Sequence, residues 1–353
     1  MSGPDPSGPD PSGRAPSGGD PSGIIPVLDL GPWREGRPGA RAALGAQLHR
    51  AFTTVGFYFI VNHGVPADLV DGAFAAARRF HGMPLAAKQA LAIDRHNIGY
   101  MPMRGATTRF NALGTRHRPN ANEAIFFKRE LAADHPDVLA GRRFRGRNQW
   151  PDEAALPGFR AAVLAYCEAM EGLGRRLLPL YASALDLPAD WFDAAFADPM
   201  FTLRMSHYPP AEPPPADADP EDPEWGLAPH TDTSFLTLLA QNRIPGLSLR
   251  LPDGQWIDAP APDGAFLVNG GNMLRLWTND RFLATPHRVL NRSGGDRFAI
   301  PFFMDCARDW PIEPVPTSVD DAHPRRHPTT TYAEFMETYQ RSNFHHAMEK
   351  QPA

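Results

Sequence analysis

Residues 229–239 read Pro-His-Thr-Asp-Thr-Ser-Phe-Leu-Thr-Leu-Leu and open a region of short apolar runs that extends to Met304. In a β-strand, the side chains at positions i and i+2 point to the same face of the sheet. We therefore expect His230 and Asp232 to project together from one strand while Thr231 turns away. An imidazole and a carboxylate placed in this way form a pair of candidate metal ligands.

A third candidate ligand is His287, which follows Pro286 and precedes the apolar pair Val289 and Leu290. This context is typical of the beginning or end of another strand. Two imidazoles and one carboxylate on one side of a metal leave its other positions open, and this is the ligand set of non-haem Fe(II) oxygenases. Zinc accepts the same three ligands, so a zinc hydrolase remains an alternative.

Arg297 begins an apolar run that ends at Phe303 and is the one charged residue in it. A guanidinium that faces the interior of a protein needs an anion or hydrogen-bond acceptors as partners. The run therefore predicts an anion-binding position at Arg297. A structural ion pair with an acid on the surface of the barrel is the alternative.

Several further segments follow one another in the order found in a known family: residues 25–30, 56–65, 148–151, 230–239, 254–257, 277–279 and 286–291. Together they resemble the Fe(II)/2-oxoglutarate-dependent dioxygenases of the isopenicillin N synthase-like family, from about Ile24 to Tyr339. The resemblance implies a mainly β fold with flanking helices. Its core would be a double-stranded β-helix, or jelly roll, preceded by an N-terminal α/β region.

The resemblance also implies a chemistry. Fe(II) would be held by His230, Asp232 and His287, while 2-oxoglutarate would bind the iron and pair its far carboxylate with Arg297. Tyr208 matches a tyrosine that bonds the cosubstrate in many relatives. With O2, and with ascorbate as the reductant, the enzyme would hydroxylate, desaturate or cyclise a small organic molecule and release succinate and CO2.

Two positions depart from the family pattern. Ala299 stands where the family commonly has a serine that assists the cosubstrate carboxylate, and Ser206 stands where several relatives have asparagine. An oxidase of the isopenicillin N synthase type that does without 2-oxoglutarate therefore remains an alternative, as does an ethylene-forming enzyme. From a different class, a β-barrel that binds a ligand without catalysis also remains open.

Residues 97–130 mix glycine, proline, methionine, arginine and aromatic residues without a sustained period, and in the family this region covers the mouth of the active site. Loop residues at such a place often contact the substrate, although packing explains them equally well. The candidate substrate-binding residues are Met103, Arg104 and Phe126 from this region, together with Phe303 from the run that begins at Arg297.

Composition limits the possible partners. The chain has 353 residues and a formal net charge of −5, which argues against sequence-independent binding to nucleic acid. No apolar run reaches the roughly 20 residues that span a bilayer, and no basic flank precedes an apolar segment at the N-terminus. We expect a cytoplasmic enzyme that acts on a small molecule and has no membrane partner; the sequence leaves its oligomeric state open.

We expect four segments. Residues 1–22 form a Pro/Gly/Ser/Asp-rich disordered tail, residues 23–198 the N-terminal α/β region, residues 199–308 the catalytic core and residues 309–353 a C-terminal helical tail. In the second segment, the apolar spacing predicts helices over residues 41–54, 67–81 and 159–185. The last of these contains Gly174, which permits close packing, and Pro179, where we expect a kink or a break.

Overall fold

The computed structural model describes residues 23–107, 110–111, 114–115, 118–212 and 223–343. The predicted disordered tail, residues 1–22, lies outside the described residues. Among the helices of the described part, none is long and apolar enough to cross a membrane.

The N-terminal half alternates helices with short strands. The predicted helix over residues 41–54 is observed at Ala40–Thr54 and buries Leu44, Leu48 and Phe52. The elements in chain order are β1 Val27–Asp29, α1 Gly31–Arg34, α2 Ala40–Thr54, β2 Phe57–Val61, α3 Ala67–His81, α4 Leu85–Gln89, β3 Gly99–Met101, β4 Phe110–Asn111, β5 Gly114–Thr115, β6 Glu123–Phe127, α5 Pro136–Leu139 and α6 Phe159–Ala184.

The C-terminal half is mostly strand. Its elements are β7 Met200–Tyr208, β8 Leu227–His230, β9 Leu236–Gln241, β10 Leu247–Arg250, β11 Trp256–Asp258, β12 Phe266–Asn269, α7 Asn272–Trp277, β13 His287–Val289, β14 Arg297–Asp305, a 3-10 turn at Pro316–Ser318, and α8 Tyr332–Asn343.

Two main sheets make up the core. The larger has eight strands in the order β1-β2-β12-β9-β14-β7-β6-β3, and the smaller has four in the order β11-β10-β13-β8. Side chains from β7, β9, β12 and β14 of the larger sheet and from β8, β10 and β13 of the smaller one line a common pocket. The two sheets therefore face each other across this pocket, as the predicted jelly roll requires.

Helix α6 packs on the larger sheet on the side away from the pocket. A Cβ atom on Gly174 would lie 2.3 Å from the sulfur of Met304 on β14, so any larger residue would displace the Met304 side chain. The helix continues through Pro179 without interruption, and the predicted break is absent.

Strands β3 and β6 lie in the region that the sequence left without regular structure. They extend the larger sheet beyond β7, with Phe126 opposite Arg204 and Glu123 opposite His207. Strands of three and five residues are too short for a reliable alternating pattern, which explains why they were missed. The larger sheet therefore contains strands from both the predicted N-terminal region, residues 23–198, and the predicted catalytic core, residues 199–308.

One local prediction was wrong. Strand β8 ends at His230, so Asp232 lies beyond the strand rather than on it. The backbone after His230 pairs with the start of α7 instead of a neighbouring strand, since the amides of Asn272 and Gly271 donate to the carbonyls of Asp232 and Ser234 at 2.8 and 2.9 Å.

Candidate functional site

The three predicted ligand residues converge where β8 ends and β13 begins. His230 and His287 are cross-strand partners, and the centroids of their rings are 4.2 Å apart. Oδ1 of Asp232 lies 3.7 Å from Nε2 of His230 and 3.5 Å from Nε2 of His287. One ligand atom from each residue therefore faces a common centre.

Hydrogen bonds on the side away from the common centre orient the two histidine rings. Nδ1 of His230 donates to the carbonyl of Ala228 at 2.9 Å, and Nδ1 of His287 donates to the carbonyl of Thr285 at 3.2 Å. A carbonyl can only accept, so the proton of each neutral ring resides on Nδ1 and the lone pair of Nε2 points to the centre. Bonds of this kind fix the tautomer of metal-binding histidines.

The carboxylate of Asp232 is held in a similar way. Its Oδ2 accepts hydrogen bonds from Oγ1 of Thr237 and Nδ2 of Asn269, both at 2.8 Å. These two contacts occupy one carboxylate oxygen and leave Oδ1 directed at the histidines. Thr237 and Asn269 were not identified from the sequence, because nothing in their local pattern marks them as neighbours of Asp232.

The electrostatics give His230 and Asp232 the protonation states that bind a metal. Burial, followed by the charge of His287, lowers the pKa of His230 to about 3, so this imidazole is neutral. Burial would raise the pKa of Asp232, but the charge and hydrogen bond of His287 outweigh it and the net pKa is lowered. An anionic carboxylate beside a neutral imidazole is the form that coordinates a divalent cation. Burial opposes the protonation of His287, but the charge and hydrogen bond of Asp232 outweigh burial and raise the pKa of this ring, so His287 releases a proton when a metal binds.

Arg297, at the start of β14, is only 1% exposed and lines the same pocket. Its Nη2 donates to Oε1 of Gln241 at 2.7 Å, whereas Nε and Nη1 are buried and have no hydrogen-bond partner among the described residues. Burying such donors without a partner costs free energy. A carboxylate placed in the pocket would supply an acceptor and a countercharge to this guanidinium.

Tyr208 is the direct cross-strand neighbour of Arg297, and the guanidinium carbon lies 5.2 Å from the centroid of its ring. Two positions earlier on β7, Ser206 pairs in register with Ala299 of β14. The hydroxyl of Ser206 is buried without a hydrogen-bond partner among the described residues. The two positions that depart from the family pattern are therefore direct neighbours beside Arg297.

The candidate substrate residues are not all brought together. Phe303 lines the pocket, whereas Met103, Arg104 and Phe126 are not part of its lining. Arg104 is exposed and pairs with Glu224 at 2.7 Å. Phe126 is the cross-strand neighbour of Arg204, whose guanidinium carbon lies 5.4 Å from the centroid of its ring.

Arg204 itself lines the pocket and was missed. The available signal was the alternation of Arg204, Ser206 and Tyr208 on one strand, which places all three on the same face.

Comparison with known proteins agrees with this geometry. Residues 25–153 match the family described as the N-terminal region of non-haem dioxygenases in morphine synthesis, and residues 199–305 match the 2OG-Fe(II) oxygenase superfamily. A 2-oxoglutarate-Fe(II) type oxidoreductase of Emericella nidulans is 33% identical over 314 residues, covering 87% of this chain and 86% of its own.

Solved structures have the same fold. The rice dioxygenase for auxin oxidation is 26% identical, with a TM-score of 0.67 and coverage of 90% of this chain and 95% of its own. A full-length Neurospora crassa protein, solved in complex with α-ketoglutarate, has a TM-score of 0.77 at 24% identity, with coverage of 90% and 95%. At that identity, the similarity to the Neurospora protein supports the fold alone.

Proposed function

The chain belongs to the Fe(II)/2-oxoglutarate-dependent dioxygenases of the isopenicillin N synthase-like family, and on this basis we propose that His230, Asp232 and His287 hold its iron. The observation that carries the proposal is the convergence of two Nε2 atoms and one carboxylate oxygen, all within 4.8 Å of one another. The chain is an enzyme that oxidises a small molecule with 2-oxoglutarate as the cosubstrate.

The residues fit such a metal. Both histidines present a lone pair because their Nδ1 atoms are engaged by carbonyls, and Asp232 supplies the negative charge. When bound, Fe(II) would activate O2 as the oxidant, which takes two electrons from 2-oxoglutarate, converting it to succinate and CO2, and two from the substrate. His230, Asp232 and His287 would supply three ligands and leave further positions of the metal for the cosubstrate and O2.

We further propose that Arg297 binds the far carboxylate of 2-oxoglutarate. Two of its three guanidinium nitrogens, Nε and Nη1, have no hydrogen-bond partner among the described residues, and a carboxylate would supply both an acceptor and a countercharge. Gln241 fixes the orientation of the guanidinium through Nη2. Tyr208 lines this end of the pocket, and Ser206, the cross-strand neighbour of Ala299, would offer a hydrogen bond that Ala299 lacks.

Several finer assignments belong to the proposal. The apolar lining of the pocket, which includes Phe57, Leu239 and Phe303, excludes water from the reaction and supports an organic substrate. Ascorbate is the expected reductant and the cytoplasm the expected location. We also retain the division of the chain at residues 22, 198 and 308 as a proposal.

The decisive experiment measures succinate release by the purified protein with Fe(II), ascorbate and 2-oxoglutarate, alongside calorimetric titration of 2-oxoglutarate into Mn(II)-loaded protein under argon. We expect binding, and succinate formation that stops when Fe(II) is chelated. Absence of binding and turnover would favour an oxidase that does without the cosubstrate. Activity that persists with zinc would favour a hydrolase, and headspace ethylene would reveal an ethylene-forming enzyme.

A further inference from the structure

Two arginines line the pocket, and the proposed function uses only Arg297. The second, Arg204, lies in the middle of β7 and is half-buried. Its Nε is buried with no hydrogen-bond partner, and within the described ranges no carboxylate lies within ion-pair distance of its guanidinium. A positive charge that faces a pocket without a countercharge is a candidate anion site.

The strand register separates Arg204 from the cosubstrate end of the pocket. Arg297 is paired with Tyr208, four positions further along β7. At a rise of about 3.3 Å per residue, the two strand positions are roughly 13 Å apart. The two arginines therefore mark different ends of the pocket.

Arg204 lies at the end that holds the metal ligands. Thr237, which bonds Asp232, pairs with Phe303 on β14, six positions beyond Arg297. Phe302 of that strand in turn pairs with Leu203, the neighbour of Arg204.

The guanidinium is also held in place. Its central carbon lies 5.4 Å from the ring centroid of Phe126, which is its cross-strand neighbour on β6. Stacking of arginine on an aromatic ring orients the planar group and leaves its edge available for hydrogen bonds. Phe126 thus contributes to the site through its contact with Arg204 rather than as part of the pocket lining.

We propose that Arg204 binds a carboxylate of the primary substrate, so that the enzyme acts on a small, largely apolar carboxylic acid. This inference rests on the proposed function, because it assigns 2-oxoglutarate to Arg297. One guanidinium carries a single charge and two parallel donors, which match a monocarboxylate better than a dianionic phosphate. The remaining lining near Arg204, namely Pro301 and Phe303, is apolar and would contact the body of the substrate.

The test uses pairs of ligands that differ only in charge. Protein loaded with Mn(II) and 2-oxoglutarate is titrated under argon with small aliphatic and aryl carboxylic acids and with the primary amide of each acid, and binding is followed by calorimetry. The variants are Arg204→Gln, which removes the charge, and Arg204→Lys, which retains it. Arg37→Gln makes the same substitution at an exposed residue paired with Glu35 and is the matched control.

For the wild type and Arg37→Gln, we expect at least one acid to bind tenfold or more tightly than its amide. Arg204→Gln should abolish this preference, and Arg204→Lys should retain part of it. If 2-oxoglutarate binds but no acid is preferred, or if the preference survives in Arg204→Gln, the inference is wrong. If 2-oxoglutarate itself fails to bind the wild type, the proposed function fails instead, and the two failures are therefore distinguishable.

Discussion

His230 and His287 stand directly opposite each other on β8 and β13, with their ring centroids 4.2 Å apart. The antiparallel pairing of two short strands thus brings together imidazoles that are distant in the sequence. Because their Nδ1 atoms both donate to backbone carbonyls, the two rings present the same nitrogen to Asp232. This arrangement explains how one carboxylate approaches both rings.

Arg297→Gln should weaken the binding of 2-oxoglutarate at least tenfold. The substitution removes a buried positive charge whose two free donors suit a carboxylate, and a hydrogen bond to a charged group contributes about 1.5–3 kcal/mol. Calorimetry on Mn(II)-loaded protein measures the change, with Arg243→Gln, at an exposed arginine, as the control. Unchanged affinity would mean that Arg297 has a structural role.

Ser206→Ala should lower the affinity for 2-oxoglutarate by about tenfold, and Ala299→Ser should raise it. The two residues are cross-strand neighbours, so their side chains project from the same face of the larger sheet, and Ala299 lines the pocket two residues from Arg297. One neutral hydrogen bond contributes about 1 kcal/mol, somewhat more when its partner is charged. Steady-state KM values for 2-oxoglutarate provide the measurement. Identical values in all three proteins would remove Ser206 from the cosubstrate site.

From the sequence, residue type and spacing predicted three candidate ligands and an anion-binding arginine, and the resemblance to a known family predicted the jelly roll that the structure has. The sequence did not predict Arg204, Thr237 or Asn269 as parts of the site, since their roles depend on the register between strands. Nor did it place Asp232 correctly, because the hydrogen bonds that end β8 come from α7, a helix formed by distant residues. Register and chain reversal are long-range properties that local patterns do not encode.

Glu123→Gln should destabilise the protein by about 3–5 kcal/mol, the usual cost of removing one partner of a buried ion pair. Glu123 is 5% exposed and accepts a 2.8 Å hydrogen bond from Lys88, which is itself buried. Denaturant unfolding measures the loss. The double variant Glu123→Gln/Lys88→Met should lose less than the sum of the single variants, because it leaves no unpaired buried charge. Strictly additive losses would argue against the pair.

His207 should make stability depend on pH. Burial opposes its protonation, but hydrogen bonds to Glu123 and Asp296, at 2.9 and 2.8 Å, outweigh burial and raise the pKa. A raised pKa in the folded state stabilises the protein fully below the ordinary histidine pKa of about 6.5. This contribution is lost as the pH rises through the folded-state pKa.

His81, which also faces Glu123, has a lowered pKa because of burial and stays neutral over this range. We therefore expect His207→Gln to reduce the fall in unfolding free energy above pH 6.5, as measured by urea unfolding at a series of pH values. A variant whose pH profile parallels that of the wild type would show that His207 does not titrate in this way.

The most direct test of the account is anaerobic titration of Fe(II) into the wild type, His287→Ala and His63→Ala, followed by calorimetry and by metal analysis after gel filtration. His63 is a matched control, because its ring bonds the carbonyl of Gly264 and the amide of Val65 instead of facing Asp232. We predict one iron per chain in the wild type and in His63→Ala, and at least tenfold weaker binding in His287→Ala. Equal iron binding by all three proteins would contradict the assignment of His287 as a ligand.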